Sequence, residues 1–293
     1  MTSKINYHIH SNYSDGAHSI TELMGYLSDA GIEEFAITDH DMVIGNYEAQ
    51  ELSASYGLRC VNGIELSCCF DGELGLDKEY ICHILGLGID NLIMKKQLEE
   101  SRARKNSLMS ELIEKLISKG YTINKMQLME IKKLKKRHFV TQLRRKCNSN
   151  TRDTNILDNP EYEKYFYSKP TIIEGIKMIR KAGGKVIMAH PYNPTNITKQ
   201  TLNDTQVSAL LDYYYNNNYD IDGIEAYYQN YTKEQINLLI AKTIQYNWKT
   251  TVGTDLHRLV SPLWKEKISI KHSKIQKIAF DICEINQDIL LEI

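Results

Sequence analysis

Short runs of alternating or continuous apolar residues recur between longer stretches in which apolar positions return every three or four residues, the mark of strands alternating with helices. The pattern predicts strands near Ile5 to His10, Glu34 to Thr38, Leu58 to Leu66, Tyr80 to Leu87, Lys185 to His190, Gly223 to Tyr227 and Thr250 to Thr254. Repeated β-α units with seven strands point to an α/β barrel. The helices carry their own punctuation: Ser19 with Glu22, Thr171 with Glu174 and Thr232 with Gln235 have capping-box spacing, and Gly31, Gly57 and Gly183 fall where helices should stop.

From Leu92 to Tyr167 the alternation breaks, and Lys, Glu, Leu and Met recur at helical spacing, with Gly120 closing the first long helix. The expected organisation is therefore a discontinuous barrel (1–91 and 168–265), a helical insertion over the active site (92–167) and a C-terminal extension (266–293) of unassigned role. In that extension Ile268 and Ile270 alternate like a strand, whereas Ile275, Ile278 and Ile282 recur like a helix.

A chain of 293 residues can bury a large core without disulfides. Its six cysteines (Cys60, Cys68, Cys69, Cys82, Cys147 and Cys283) have no CxxC spacing, so they read as mostly buried thiols in a reducing compartment. The net charge of −1 argues against coating nucleic acid through bulk charge. No run approaches the roughly 20 apolar residues that span a bilayer, and no secretory signal pattern opens the chain. A cytoplasmic protein without a membrane partner is expected.

The chemistry enters with His8 and His10 in YHIH. Alternate strand residues share a face, which brings the two histidines together at about 6 to 7 Å between Cα atoms. A lone HxH is equally a solvated strand surface. Other potential ligands follow at or near strand ends: Asp15 in SNYSDG, His40 in ITDHD, Glu65 in GIE, His83 in CHILG, His190 in MAHP, and Asp255 with His257 in GTDLH. Singly, Asp15 with Gly16 could be a turn, Glu65 a helix-cap acid and His83 a satisfied core histidine. A barrel gathers residues at the C-terminal ends of its strands into one mouth, however, so these side chains should converge. Nine N and O donors without cysteine suit Zn, Mn or Fe and exceed one tetrahedral site. His18, His138 and His272 lack such placement, and His18 and His272 read as surface residues.

The ordered segments YHIHSNYSDG, FAITDHD, VNGIELS, CHILGLGID, GGKVIMAHP, DGIEAY and VGTDLH resemble the PHP (polymerase and histidinol phosphatase) family of metal-dependent phosphoesterases, from about Ile5 to His257. The insertion, with Arg137 and His138 in KRHFVTQL, resembles the nucleoside 3′,5′-bisphosphate phosphatase and 5′-3′ exoribonuclease branch. The resemblance implies a distorted (β/α)7 barrel holding two or three divalent ions. It places one on His8, His10, Glu65 and Asp255, a second on Glu65, His83 and His190, and a third on Asp15, His40 and His257. Arg137 and His138 would contact substrate.

The expected function is hydrolysis of phosphomonoesters of small nucleotides by a metal-bridging hydroxide. Three enzymatic alternatives stand beside it: 5′-3′ exonuclease action on short RNA, histidinol-phosphate phosphatase and phosphotyrosine phosphatase. A non-catalytic, metal-stabilised phosphate-binding module is the alternative from another class. The cluster Lys132, Lys133, Lys135, Lys136, Arg137, Arg144, Arg145 and Lys146 could track an RNA backbone, or it could be a solvated helix face.

Overall fold

Strand β1 (Thr2–Asn6) opens the chain, followed by α1 (Ile20–Asp29), β2 (Glu34–Ile37), α2 (Ile44–Ser53), β3 (Arg59–Cys69) and β4 (Ile81–Leu87). After α3 (Asn91–Ser118) and α4 (Lys125–Met129) come α5 (Ile172–Lys181), β5 (Lys185–Met188), α6 (Asp204–Asn216), β6 (Gly223–Tyr228), α7 (Lys233–Tyr246), β7 (Lys249–Gly253) and β8 (Glu284–Asn286). These elements come from a computed structural model that describes residues 2–70, 81–121, 123–129, 165, 169–193, 201–258 and 284–286. The three expected capping boxes form at Ser19, Thr171 and Thr232, each with reciprocal side-chain and backbone bonds. A fourth forms at Asn203 with Gln206.

The strands lie in the order β7-β6-β5-β4-β3-β2-β1-β8. The sheet is not uniformly parallel as simple β-α repetition suggests: β4 runs antiparallel to both β3 and β5. The open edges of β1 and β7 meet beyond their regular ladders. Tyr7 N–H donates to Val252 O (2.9 Å), His10 N–H to Leu256 O (3.0 Å) and Leu256 N–H to His8 O (3.3 Å). Asn6 ties the same joint, donating to Thr254 Oγ1 (2.8 Å) and accepting from Thr254 N–H (3.1 Å) and His8 N–H (3.3 Å). Seven strands thus come close to a closed barrel. On the same edge, Thr2, Ser3 and Lys4 pair antiparallel with β8, which gives part of the C-terminal extension a place in the sheet.

Alternation along the strands feeds two cores. Ile84, Val186 and Met188 join a cluster with Ile176 and Ile179 of α5 and Leu210 of α6. Their neighbours Leu85 and Ile187 join Tyr7, Ile9, Phe35 and Val252, with Leu23 and Leu27 of α1. The chain divides into two compact units, 1–98 with 170–293, and 99–169. The second has its own apolar cluster of Met109, Leu112, Ile113, Leu116, Leu128 and Tyr165. Arg137, His138, the surrounding basic cluster and His272 lie outside the described residues. Among the described residues no helix is long and apolar enough to cross a membrane.

Candidate metal centre

Each candidate ligand reaches one mouth of the barrel by a local route. The ladder of β1 ends at Asn6, and His8 and His10 sit on the extended stretch beyond it, where Ile9 bridges Leu256. Tyr7 and Ile9 enter the core while His8 and His10 turn the other way, their Nε2 atoms 3.1 Å apart. His40 follows β2 and bridges Glu65, which lies within β3 rather than after it. His83 stands near the start of β4, not at a strand's C-terminal end. It still reaches this mouth because β4 is reversed. His190 follows β5, and Asp255 and His257 follow β7.

Glu65 is the centre of the arrangement. Its Oε2 lies 3.3 Å from His8 Nε2, 3.1 Å from His10 Nε2 and 2.9 Å from His40 Nδ1. Its Oε1 lies 2.8 Å from His83 Nδ1 and 3.0 Å from His190 Nε2. Asp255 Oδ1 adds contacts to His8 and His10 Nε2 at 3.4 and 3.1 Å. Asp15 is more exposed, 3.7 Å from His10 Nδ1, 3.7 Å from His40 Nε2 and 3.3 Å from His257 Nε2. Three groups have ligand atoms all within 4.8 Å of one another: His8, His10, Glu65 and Asp255; His40, Glu65 and His83; and His10, Asp15, His40 and His257.

The donor set fits divalent cations. His10 Nδ1, His40 Nδ1, Glu65 Oε2, His190 Nδ1 and Asp255 Oδ1 are buried with no hydrogen-bond partner among the described residues. An unsatisfied buried polar atom costs about 1–3 kcal/mol. Five in one place make sense as a cradle for cations on N and O ligands. The electrostatics agree. Burial pushes His8 down, but Glu225, Glu65 and Asp255 outweigh it and hold its pKa well above the ordinary value. His10 likewise rises to about 9, burial being overcome by the carboxylates of Asp255 and Glu65 that face its Nε2. Burial would raise Glu65, yet the surrounding imidazoles, His83 foremost, hold it well below the usual carboxylate range. Burial lowers His83, with Glu65 opposing. The carboxylates thus demand positive charge, as imidazolium or as bound cation.

Sequence reading missed the groups behind these ligands. Glu225, fully buried in β6, places Oε1 2.8 Å from His8 Nδ1, while its Oε2 accepts His190 N–H at 2.9 Å. Its signal lies in DGIEAY, where an acid sits between two core residues, Ile224 and Ala226, and a buried charge needs a partner. Asp39 accepts from Ser11 N–H (2.7 Å), Ser11 Oγ (2.6 Å) and Ser14 Oγ (2.5 Å), pinning the loop that carries Asp15. The register of β6 against β7 slips between Glu225 and Tyr227, so two steps on β6 match one on β7. Such a bulge reverses the alternation. Tyr228, not Tyr227, consequently reaches the centre and donates to Asp255 Oδ2 at 2.9 Å. Asp41, His190 and Asp255 have positive φ (53°, 24° and 49°), conformations uncommon outside glycine that collect at functional sites. His18 is not a surface residue: it is buried, with its ring 5.3 Å from that of Tyr26.

Comparison with known proteins gives the arrangement a family. The chain is 26% identical over 266 residues to a 5′-3′ exoribonuclease of Haemophilus influenzae, covering 88% of this chain and 91% of that one. It is 35% identical over 88 residues to a 3′,5′-nucleoside bisphosphate phosphatase of Chromobacterium violaceum, covering 30% and 28%. Among solved structures, an amidohydrolase from Chromobacterium violaceum with bound sulfate and no metal shares the fold at TM-score 0.57 and 20% identity, over 87% of this chain and 88% of that one. The PHP domain model matches residues 6–168, more than half of the sequence, and the chain belongs to the PHP domain family.

Proposed function

We propose that this protein is a metal-dependent phosphoesterase that hydrolyses phosphomonoesters of small nucleotides. The observation that carries it is Glu65, a buried carboxylate faced by five imidazoles, with unpartnered ligand atoms around it. His8, His10, Glu65 and Asp255 would hold one divalent ion, Glu65, His83 and His190 a second, and Asp15, His40 and His257 a third, with Mn, Zn or Fe suited to the donors. Bound divalent ions supply a water that ionises near neutral pH and positive charge for phosphoryl oxygens. The residues' own task is placement: Tyr228 steadies Asp255, Asp39 steadies the Asp15 loop, and the barrel joint sets His8 against Glu65. Arg137 and His138 are assigned to substrate phosphate, where the planar guanidinium can make a paired contact that lysine cannot reproduce.

A 5′-3′ exonuclease acting on short RNA is the second reading, favoured by the length over which the Haemophilus influenzae relative aligns. Cytoplasmic residence belongs to the proposal and rests on six cysteines with no CxxC spacing in a chain long enough to bury its core without disulfides. Mn-loaded protein should be assayed on a nucleoside 3′,5′-bisphosphate, a nucleoside monophosphate, histidinol phosphate, phosphotyrosine and a short 5′-phosphorylated RNA. Preferred release of inorganic phosphate from the bisphosphate supports the first reading. Stepwise release of mononucleotides from RNA supports the second, and no turnover of any substrate leaves the binding module.

A further inference from the structure

Two N–H groups converge on the carboxylate of Glu225, one from His8 and one from His190, which the proposed function assigns to different ions. His8 presents Nε2 to Glu65, His10 and Asp255, so its Nδ1, 2.8 Å from Glu225 Oε1, faces away from them. His190, at φ 24°, donates its backbone N–H to Glu225 Oε2 at 2.9 Å while its ring Nε2 reaches Glu65 Oε1 at 3.0 Å. The approach is built closely. A Cβ on Gly253 would fall 2.0 Å from Glu225 Oε1 and 2.3 Å from His8 Cβ, so glycine is required where β7 passes this pair.

Resting on the metal-centre reading above, we propose that Glu225 is a positioning residue for two ion sites at once, holding the His8 ring through one oxygen and the His190 backbone through the other. The hydrogen-bond inventory makes the role specific to a carboxylate. With Oε1 as acceptor, His8 carries its proton on Nδ1 and turns an Nε2 lone pair toward the ligand group. Glutamine has one acceptor and one donor for two N–H groups. If its oxygen takes His190 N–H, its NH2 faces His8 Nδ1 and favours the tautomer with N–H at Nε2, where a ligand lone pair is needed. If the amide turns over, NH2 opposes His190 N–H. Either orientation disturbs a ligand.

Chelator-treated wild type and Glu225→Gln should be titrated with Mn²⁺, following free Mn²⁺ by electron paramagnetic resonance, alongside melting of the chelated proteins. The expected result is a similar melting temperature without metal, an increase of about 10- to 100-fold in the Mn²⁺ needed for loading, and activity that recovers as Mn²⁺ is raised. Loading at wild-type concentrations overturns the assignment, and so does lost activity that Mn²⁺ cannot restore in a fully loaded variant. A second measurement needs no variant: in Zn²⁺-loaded wild type with ¹⁵N-histidine, His8 should show a protonated Nδ1 and a metal-bound Nε2. Metal at His8 Nδ1 overturns the proposal even if Glu225→Gln does not fold. Wild type that takes up neither ion overturns the metal-centre reading and this one with it, whereas normal wild-type uptake with an unaffected variant removes only Glu225.

Discussion

Glu65→Gln tests the centre at its densest point. The substitution keeps the volume, removes one buried negative charge and turns one acceptor oxygen into a donor. If the amide nitrogen replaces Oε2, it confronts His8, His10 and His40 at 2.9–3.3 Å; if it replaces Oε1, it confronts His83 and His190 at 2.8 and 3.0 Å. Removing one member of a buried charge pair costs about 3–5 kcal/mol, or roughly two to four decades in a binding constant. The group facing the amide nitrogen should lose affinity on that scale. The other group keeps only a neutral carbonyl oxygen and should weaken less, but measurably. Dialysis against graded free Mn²⁺ followed by elemental analysis reads both losses, with circular dichroism confirming the fold. Loss of a single ion, with the rest binding as in wild type, refutes the idea that Glu65 bridges two sites.

Asp255→Asn keeps the contact with Tyr228 within reach but weakens an anionic donor, so turnover should fall by orders of magnitude with the fold intact; nearly unchanged kcat at saturating Mn²⁺ would remove Asp255 from the site. The raised pKa of His10 has opposite consequences for the ion-free and loaded protein. In chelated protein its contribution to stability is full below about pH 6.5 and is lost as pH rises through about 9, which melting against pH will show. Mn²⁺ affinity should climb over the same interval as the competing proton leaves, lagging at pH 7 by about two decades; a flat affinity between pH 7 and 9 contradicts this. Asn6→Ala strands the buried N–H groups of Thr254 and His8 and should cost about 2–6 kcal/mol in urea denaturation of the chelated protein. A shift below about 1 kcal/mol would mean that the joint between β1 and β7 does not depend on this side chain.

What the sequence determined by itself was the local order. The positions of β2 to β7, the capping boxes at Ser19, Thr171 and Thr232, and the nine candidate ligands were legible because alternation, helical repeat and cap chemistry act over a few residues, whereas β1, expected at Ile5 to His10, pairs over Thr2–Asn6. The tertiary structure decided which of these features meet. Reversal of β4 brings the start of a strand, and with it His83, to a mouth otherwise built from strand ends; no residue in CHILG specifies the direction of its neighbours. The slip beside Glu225 substitutes Tyr228 for Tyr227 at the centre, a change of face that arises from pairing with β7 rather than from the β6 sequence. Glu225 itself has its meaning only through partners 217 and 35 residues away. Burial makes its charge costly unless paired, and the pairing exists only once closure sets β1 against β7, with β6 and β5 next in order around the mouth.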